Sequence, residues 1–279
     1  MPQELPLIPP EQFSAVEYAR RFDDPKITSH KILSSFPSDT ARRIESVHRK
    51  LEKVTETIIR YKAGGQYLSD RVELHKTIIE NYLSEDRISQ ATPDEGDRPT
   101  FIILGGRGGS GKSWFRNNIY DPSKTIVLDS DEIKEKLPEY EGWNAYEVHE
   151  ESGEIFDLIT DQAQRMGLNI THDATMKTPR KAVQLVRRFK GADYRIEVHY
   201  MFLPRQEAAK RAIARFLGKD GRKAGRYVPI EVVLGNTSNE ISFDRVKELV
   251  DCWSFWDNNV LAPKDPCLIA ENTNGLAQG

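Results

Sequence analysis

The sequence is poor in several things. It holds two cysteines in 279 residues, Cys252 and Cys267, and neither stands in a Cys-x-x-Cys or Cys/His spacing. That leaves no basis for a disulfide framework or a zinc site, and both thiols are expected to be reduced, in or near a core. Basic charge is not in excess: 40 Lys and Arg stand against 43 Asp and Glu, a net charge of −3. No overall positive field therefore draws the chain to nucleic acid. No apolar run approaches the ~20 residues that span a bilayer, so no membrane association is expected. The opening MPQELPLIPPEQF has neither a basic n-region nor a continuous apolar stretch, so no secretory leader is read there and a cytoplasmic location is expected. The remainder, 38% hydrophobic and 30% charged, suits one large domain or a medium domain plus a smaller one.

What is present is concentrated between Thr100 and Ser113, TFIILGGRGGSGKS. Phe101 to Leu104 read as a strand buried on both faces, as parallel sheets require. Gly106 to Ser113 then spell GxxxxGKS, the P-loop pattern. Gly106, Gly108, Gly109, Ser110 and Gly111 let backbone N–H groups curl around an anion. Lys112 is placed to reach the β- and γ-phosphates of ATP, and the Ser113 hydroxyl to ligate Mg²⁺. The loop follows a strand and precedes a helix-compatible stretch, Trp114 to Ile119, which is the context the motif requires.

Residues 1–95 differ from the rest. A first helix is expected over Glu11 to Phe22. A long one carries the stripe Ile44, Val47, Leu51, Val54, Ile58 and Tyr61, ended by Gly64-Gly65. A third begins near Ser69 or Asp70. Arg42, Arg43, Arg49, Lys50 and Lys53 make the long helix basic on its outer side, read as a solvated face or a contact for an acidic partner. Gln90 to Pro99 read as a linker or long loop. The expected domains are therefore a helical region, 1–95, and a P-loop domain, 96–279. From Thr100 onward strands and helices alternate, which predicts an α/β fold with a mainly parallel sheet flanked by helices. Ligands then sit at the carboxyl ends of the strands.

The residues at those ends are the candidates. Asp129 and Asp131 end the second strand. Asp131 lies past it and is assigned as the base that takes the proton of an acceptor hydroxyl; Asp129 is assigned to support or helix capping. Asp173 ends the third strand and is a candidate to order Mg²⁺, or else a turn former. Thr175 and Thr178 are candidate substrate contacts, though Thr178-Pro179 is also a good helix start. Arg215, Lys219, Arg222, Lys223 and Arg226, with Gly218, Gly221 and Gly225 among them, read as a basic lid over the phosphates. Glu150 and Glu151 either satisfy a helix dipole or grip sugar hydroxyls.

These pieces carry a resemblance. From about 100 to 260 the chain resembles the bacterial zeta toxin kinases, P-loop enzymes that use ATP to phosphorylate UDP-N-acetylglucosamine. The matching stretches are GGRGGSGKS, LDSDEIKEKLPEY (128–140), GLNITHDAT (167–175), LPRQEAAKRAIARF (203–216) and GRYVP (225–229). The resemblance implies Asp131 as base, Lys112 and Ser113 at phosphates and metal, and Arg215 and Arg226 on the nucleotide phosphates. It puts Thr175 and one of Glu150 and Glu151 in the acceptor pocket. Leu137 stands where the family has His, and Asp173-Ala174 where it has Glu-Gly, both on the acceptor side. The wider superfamily also contains kinases of NAD and of polynucleotide ends, so a dinucleotide is a second expected acceptor; an ATP-gated binding module is the reading from another class. Zeta toxins are silenced by a separate three-helix antitoxin over the nucleotide site. The three helices preceding the P-loop here are read as an in-chain restraint of that kind or as a scaffold, and a separate antitoxin is the further candidate partner.

Overall fold

The computed structural model describes residues 6–218, 225–260 and 264–273. The first expected helix is split. After a 3₁₀ turn at Pro10–Gln12, Phe13 is extended and buried, and α1 (Ala15–Ala19) starts only after Ser14, whose hydroxyl accepts from the Glu17 N–H. Then come α2 (Ser29–Ser34) and α3 (Ser38–Leu51). The stripe expected to make one helix as far as Tyr61 breaks after Leu51. Its continuation is α4 (Thr57–Tyr61), because Thr57 is buried with its N–H on the Glu147 carbonyl at 2.8 Å, a partner no helix register could predict. Gly64 and Gly65, at φ 57° and 82°, turn a short hairpin between β1 (Lys62–Ala63) and β2 (Gln66–Tyr67) rather than ending a helix. Next are α5 (Ser69–Tyr82) and α6 (Glu85–Ala91).

The change of pattern near residue 95 is not a boundary between cores. Phe13 packs on Phe243, Trp253 and Phe255, and Asp244 accepts from Ser14 and from the N–H groups of Ala15 and Val16. Ile78, Ile79 and Tyr82 join the same core. Ile32, Ile44 and Leu51 form a second one with Leu203, Ala212 and Phe216. The stretch expected to be a linker is tethered at both ends: the Ala91 carbonyl accepts from Asn169 and that of Pro99 from Arg195.

The central sheet has six strands: β3 (Thr100–Gly105), β4 (Ile126–Leu128), β5 (Ile170–Ala174), β6 (Arg195–Phe202), β7 (Cys252–Asp257) and β8 (Cys267–Asn272). Their order is β4-β5-β3-β6-β7-β8, all parallel except the last pair. Between them run α7 (Lys112–Asn118), α8 (Ser130–Lys134), α9 (His149–Arg165), α10 (Pro179–Gly191), α11 (Arg205–Phe216), α12 (Ile230–Leu234) and α13 (Asn239–Val246). The strand-like alternation of β3 sends Phe101 and Ile103 toward the core that holds Ile155, Val186 and Phe189, and Ile102 and Leu104 toward Phe115 of α7. Phe101 and Phe189 stack with centroids 3.6 Å apart. Burial of each such ring contributes roughly 1.5–3 kcal/mol. The first strand of the P-loop unit thus sits at the middle of the sheet, and its neighbours on one side, β5 and β4, end at the same level: Leu104 pairs with Asp173 and Leu128 with His172. No helix among the described residues is long and apolar enough to cross a membrane.

Candidate active site

Beyond Gly105 the chain turns sharply. Gly106 has φ 139°, and a Cβ there would lie 2.5 Å from the Met201 carbonyl oxygen, so only glycine allows the turn. Gly111 has φ 97° and packs against Asn258, whose side chain donates to the Ser110 carbonyl at 2.7 Å. Gly109, at φ 83°, packs on α11, where a Cβ would lie 3.3 Å from the Ala208 carbonyl oxygen, and Gly108 is left as the open part of the loop. Lys112 folds back over it, its Nζ 2.9 Å from the Gly106 carbonyl and 3.4 Å from Asp173 Oδ1. Ser113 is exposed in the first turn of α7. The Ser110 hydroxyl is buried without a hydrogen-bond partner among the described residues. An orphaned hydroxyl in a glycine-rich turn beside a lysine fits a loop built to wrap a phosphate chain.

Asp131 lies in the first turn of α8, just beyond β4. Asp129 caps that helix by accepting from the Asp131 N–H at 2.9 Å. The Asp131 carboxylate is enclosed by cations: Arg226 Nη1 at 2.6 Å, Lys134 Nζ at 3.3 Å and Arg215 Nη2 at 3.8 Å. Burial alone would raise its pKa, but Arg226, Lys134 and Arg215 outweigh it and hold the carboxyl below its ordinary value. Arg226 also reaches the P-loop. Its Nη2 is 3.9 Å from where a Cβ on Gly108 would stand, and its Nε is buried without a partner among the described residues. One guanidinium therefore spans the space between the phosphate loop and the carboxylate assigned as base. Gly225 packs on the Arg215 stem and donates to the Arg215 carbonyl at 2.9 Å, which sets the two arginines side by side. Lys219, Gly221, Arg222 and Lys223 of the expected lid lie outside the described residues.

Asp173 is the other carboxylate of the cleft. Burial pushes its carboxyl up to about 6, with Asp129 and Asp131 adding to the shift and Lys112 opposing it. A buried acid beside a lysine, with the exposed hydroxyl of Ser113 on the same loop, is an oxygen donor set that suits Mg²⁺, which takes one or two protein ligands plus substrate phosphates. The charged form is costly without a cation. A carboxyl raised from 3.8 to about 6 contributes most to stability at low pH, and that contribution is lost as pH rises from about 4 to about 6. Asp173→Asn should therefore raise thermal stability at pH 7, by at most about 3 kcal/mol, and leave it unchanged at pH 4. Equal melting temperatures of variant and parent at pH 7 would show that Asp173 carries no such burden.

The expected acceptor residues are not all brought together. Thr175 is half-buried at the end of β5, with its carbonyl held by the Asn239 side chain. Next to it Met176 has φ 57°, a strained conformation for a side chain of that size. Thr178 is exposed and its hydroxyl makes no cap bond to α10. Glu150 is exposed. Glu151 is not available to a ligand: it is fully buried, accepting from Arg71 Nε at 2.6 Å and lying 2.6 Å from His75 Nε2. Burial works against its charge, but the bonds from Arg71 and His75 hold it down to about 2. Its role is to lock α5 onto α9, and Arg71 completes the lock with a bidentate bond to Glu139.

Three contributors escape a reading of the sequence. Arg107, inside the loop, is 1% exposed and bonds both oxygens of Glu240. Asn258 braces Gly111 from 147 positions away in the chain. Lys134 is three residues from Asp131, a helical spacing that could have been noticed.

The chain is similar to known proteins over much of its length. The zeta toxin family model matches residues 85–259. The zeta toxin of Enterococcus hirae is 25% identical over 158 residues, covering 52% of this chain and 55% of its own; that of Streptococcus pyogenes is 25% identical over 129 residues, covering 43% and 45%. The chain thus spans about half the length of the curated relatives it matches. Among solved structures, AvrRxo1-ORF1 with AvrRxo1-ORF2 and sulphate ions superposes with a TM-score of 0.64 at 16% identity, over 80% of this chain and 78% of that one. The same pair solved with ATP gives 0.64 at 15% identity, with the same coverage.

Proposed function

This chain belongs to the zeta toxin family, and from that premise we propose that it is an ATP-dependent phosphotransferase that moves the γ-phosphoryl group onto a hydroxyl of a nucleotide-sugar such as UDP-N-acetylglucosamine. The single observation that carries the reading is Arg226, one nitrogen on Asp131 and the other beside Gly108. In this reading Gly106 to Ser113 wrap the phosphates, with Lys112 at the β- and γ-groups. Arg226 and Arg215 transfer from Asp131 to the incoming phosphate oxygens, where bidentate donors neutralise charge on the group in flight. The released carboxylate is left with Lys134 and takes the acceptor proton as the new O–P bond forms and ADP departs. Ser113 and Asp173 would hold Mg²⁺, which when bound neutralises charge on the bridging phosphates. Asp131 is thus kept masked until a nucleotide arrives.

NAD or another dinucleotide is the second acceptor reading, because one residue, Leu137, tells against the sugar-nucleotide. Leu137 is buried, where the family carries a histidine on the acceptor side. The N-terminal segment is proposed as scaffold rather than restraint, since Phe13, Tyr18 and Ile78 complete the core and, among the described residues, its ion pair with the loop is Asp23 to Arg107 at 3.7 Å. An antitoxin would then be a separate protein, as AvrRxo1-ORF1 is paired with a second chain in its structures. The test is to incubate the protein with γ-labelled ATP, Mg²⁺ and, separately, UDP-sugars, NAD and oligonucleotides. Label should move to UDP-N-acetylglucosamine or, on the second reading, to NAD. Label in oligonucleotides alone would replace the proposed acceptor. Transfer to none of them, with ATP still bound, would leave only a binding module.

A further inference from the structure

Two loops at the carboxyl edge of the sheet are held by the first turn of α13. Glu240 holds the phosphate loop: it accepts from both Nη atoms of Arg107, and from the Tyr200 hydroxyl at 2.8 Å. The residue before it, Asn239, holds the segment that follows β5. Asn239 is 0% exposed, and its side chain donates to the Thr175 carbonyl. Residues 175–178 join the end of β5, where Asp173 stands, to the start of α10. Consecutive residues of one helix thus grip both sides of the candidate active site.

Two unfavourable features fall on the Asn239 contact. A carbonyl only accepts, so the amide nitrogen must face Thr175 and the oxygen must face away. That oxygen, Oδ1, is buried without a hydrogen-bond partner among the described residues. Met176, next after Thr175, is 6% exposed and has φ 57°. The other non-glycine at positive φ among the described residues is Asp193, an exposed residue of a type that tolerates it. The buried methionine is the outlier. It is packed as well as tethered: a Cβ on Gly105 would overlap the Met176 sulfur and come 2.8 Å from the Tyr200 ring. Gly105 ends β3, pairs with Ala174 and opens the turn into the phosphate loop. Neither an unpaired buried oxygen nor a left-handed methionine favours folding. Such features are kept where the surroundings impose a set geometry, most often at functional sites.

We propose that Asn239 is a positioning residue of the phosphoryl-transfer site. Through the Thr175 carbonyl and the left-handed Met176 it fixes residues 174–178 in register with the phosphate loop that Glu240 holds. The proposal rests on the phosphotransferase reading above. Asn239 acts through the segment it holds: it sets where Asp173 and the Thr175 hydroxyl stand relative to Lys112, whose Nζ is 3.4 Å from Asp173. Transfer depends steeply on such placement, since a displacement of about 1 Å costs on the order of 100-fold in rate.

The test is Asn239→Ala in the full chain. Hydrogen–deuterium exchange of the amides of residues 174–178 should accelerate at least tenfold, with that of residues 106–111 unchanged. Half-saturation by ATP should stay within twofold of the parent, while kcat/KM for the acceptor that the parent labels should fall tenfold or more. Asn239→Ser, too short to reach Thr175, takes the place of the alanine variant should that one not fold. Unchanged exchange at 174–178, an unchanged kcat/KM, or an equal loss of ATP binding and transfer would overturn the proposal. If the parent transfers phosphate and the variant matches it, the positioning role fails and the phosphotransferase stands. If the parent transfers phosphate to no acceptor, the phosphotransferase reading fails and the positioning role falls with it.

Discussion

Asp131→Asn should lower phosphoryl transfer by roughly 10²–10⁴-fold, the span usual for loss of a general base. The shape of the side chain is kept, so the loss is chemical. ATP binding should not follow it down. In the resting protein Arg226, Lys134 and Arg215 all lie within 3.8 Å of this carboxylate. Removing its charge frees two guanidinium groups for phosphate oxygens, so half-saturation by ATP should stay the same or fall. Initial rates with labelled ATP, beside displacement of a fluorescent ATP analogue, separate the two effects. Transfer within threefold of the parent would remove Asp131 from the role of base. Loss of both transfer and ATP binding would mean that the carboxylate shapes the nucleotide site instead.

The second large effect is on stability. Glu240→Ala should destabilise the fold by about 3–5 kcal/mol, because it leaves a buried guanidinium uncompensated. Arg107 is 1% exposed and, among the described residues, keeps the Leu203 and Asn236 carbonyls and Asp23, the last at 3.7 Å. The Tyr200 hydroxyl, which donates to Glu240 at 2.8 Å, loses its acceptor as well. Denaturant unfolding would show the loss as a lowered midpoint. Glu240→Gln, which keeps hydrogen-bonding atoms, should lose less. A loss below 1 kcal/mol for the alanine variant would mean that water reaches Arg107 and that the ion pair does not brace the loop.

The parts of the site that were legible in the sequence are those whose partners are near in the chain. GxxxxGKS announces its own turn, since its glycines are needed by backbone geometry within eight residues. The strand-end aspartates were legible too, because a parallel sheet puts strand ends and phosphate loop on one edge. What failed was continuity in the N-terminal segment. The stripe from Ile44 to Tyr61 has helical spacing throughout, yet Thr57 is drawn to the Glu147 carbonyl 90 residues away and the helix stops at Leu51. Between Glu150 and Glu151 the sequence offered no choice; Arg71, 80 residues upstream, takes Glu151 into the core.

By itself the sequence determined the α/β alternation, the phosphate loop and the kind of chemistry its strand ends permit, because period, glycine placement and residue type act locally. Only the tertiary structure decided that Phe13 and Ile78 join the main core and Ile44 the second one, that Arg107 is a buried brace and that Arg226 joins Asp131 to the loop. Those facts depend on ion pairs, hydrogen bonds and ring contacts between residues tens to hundreds of positions apart, whose energies exist only once packing has excluded water around them.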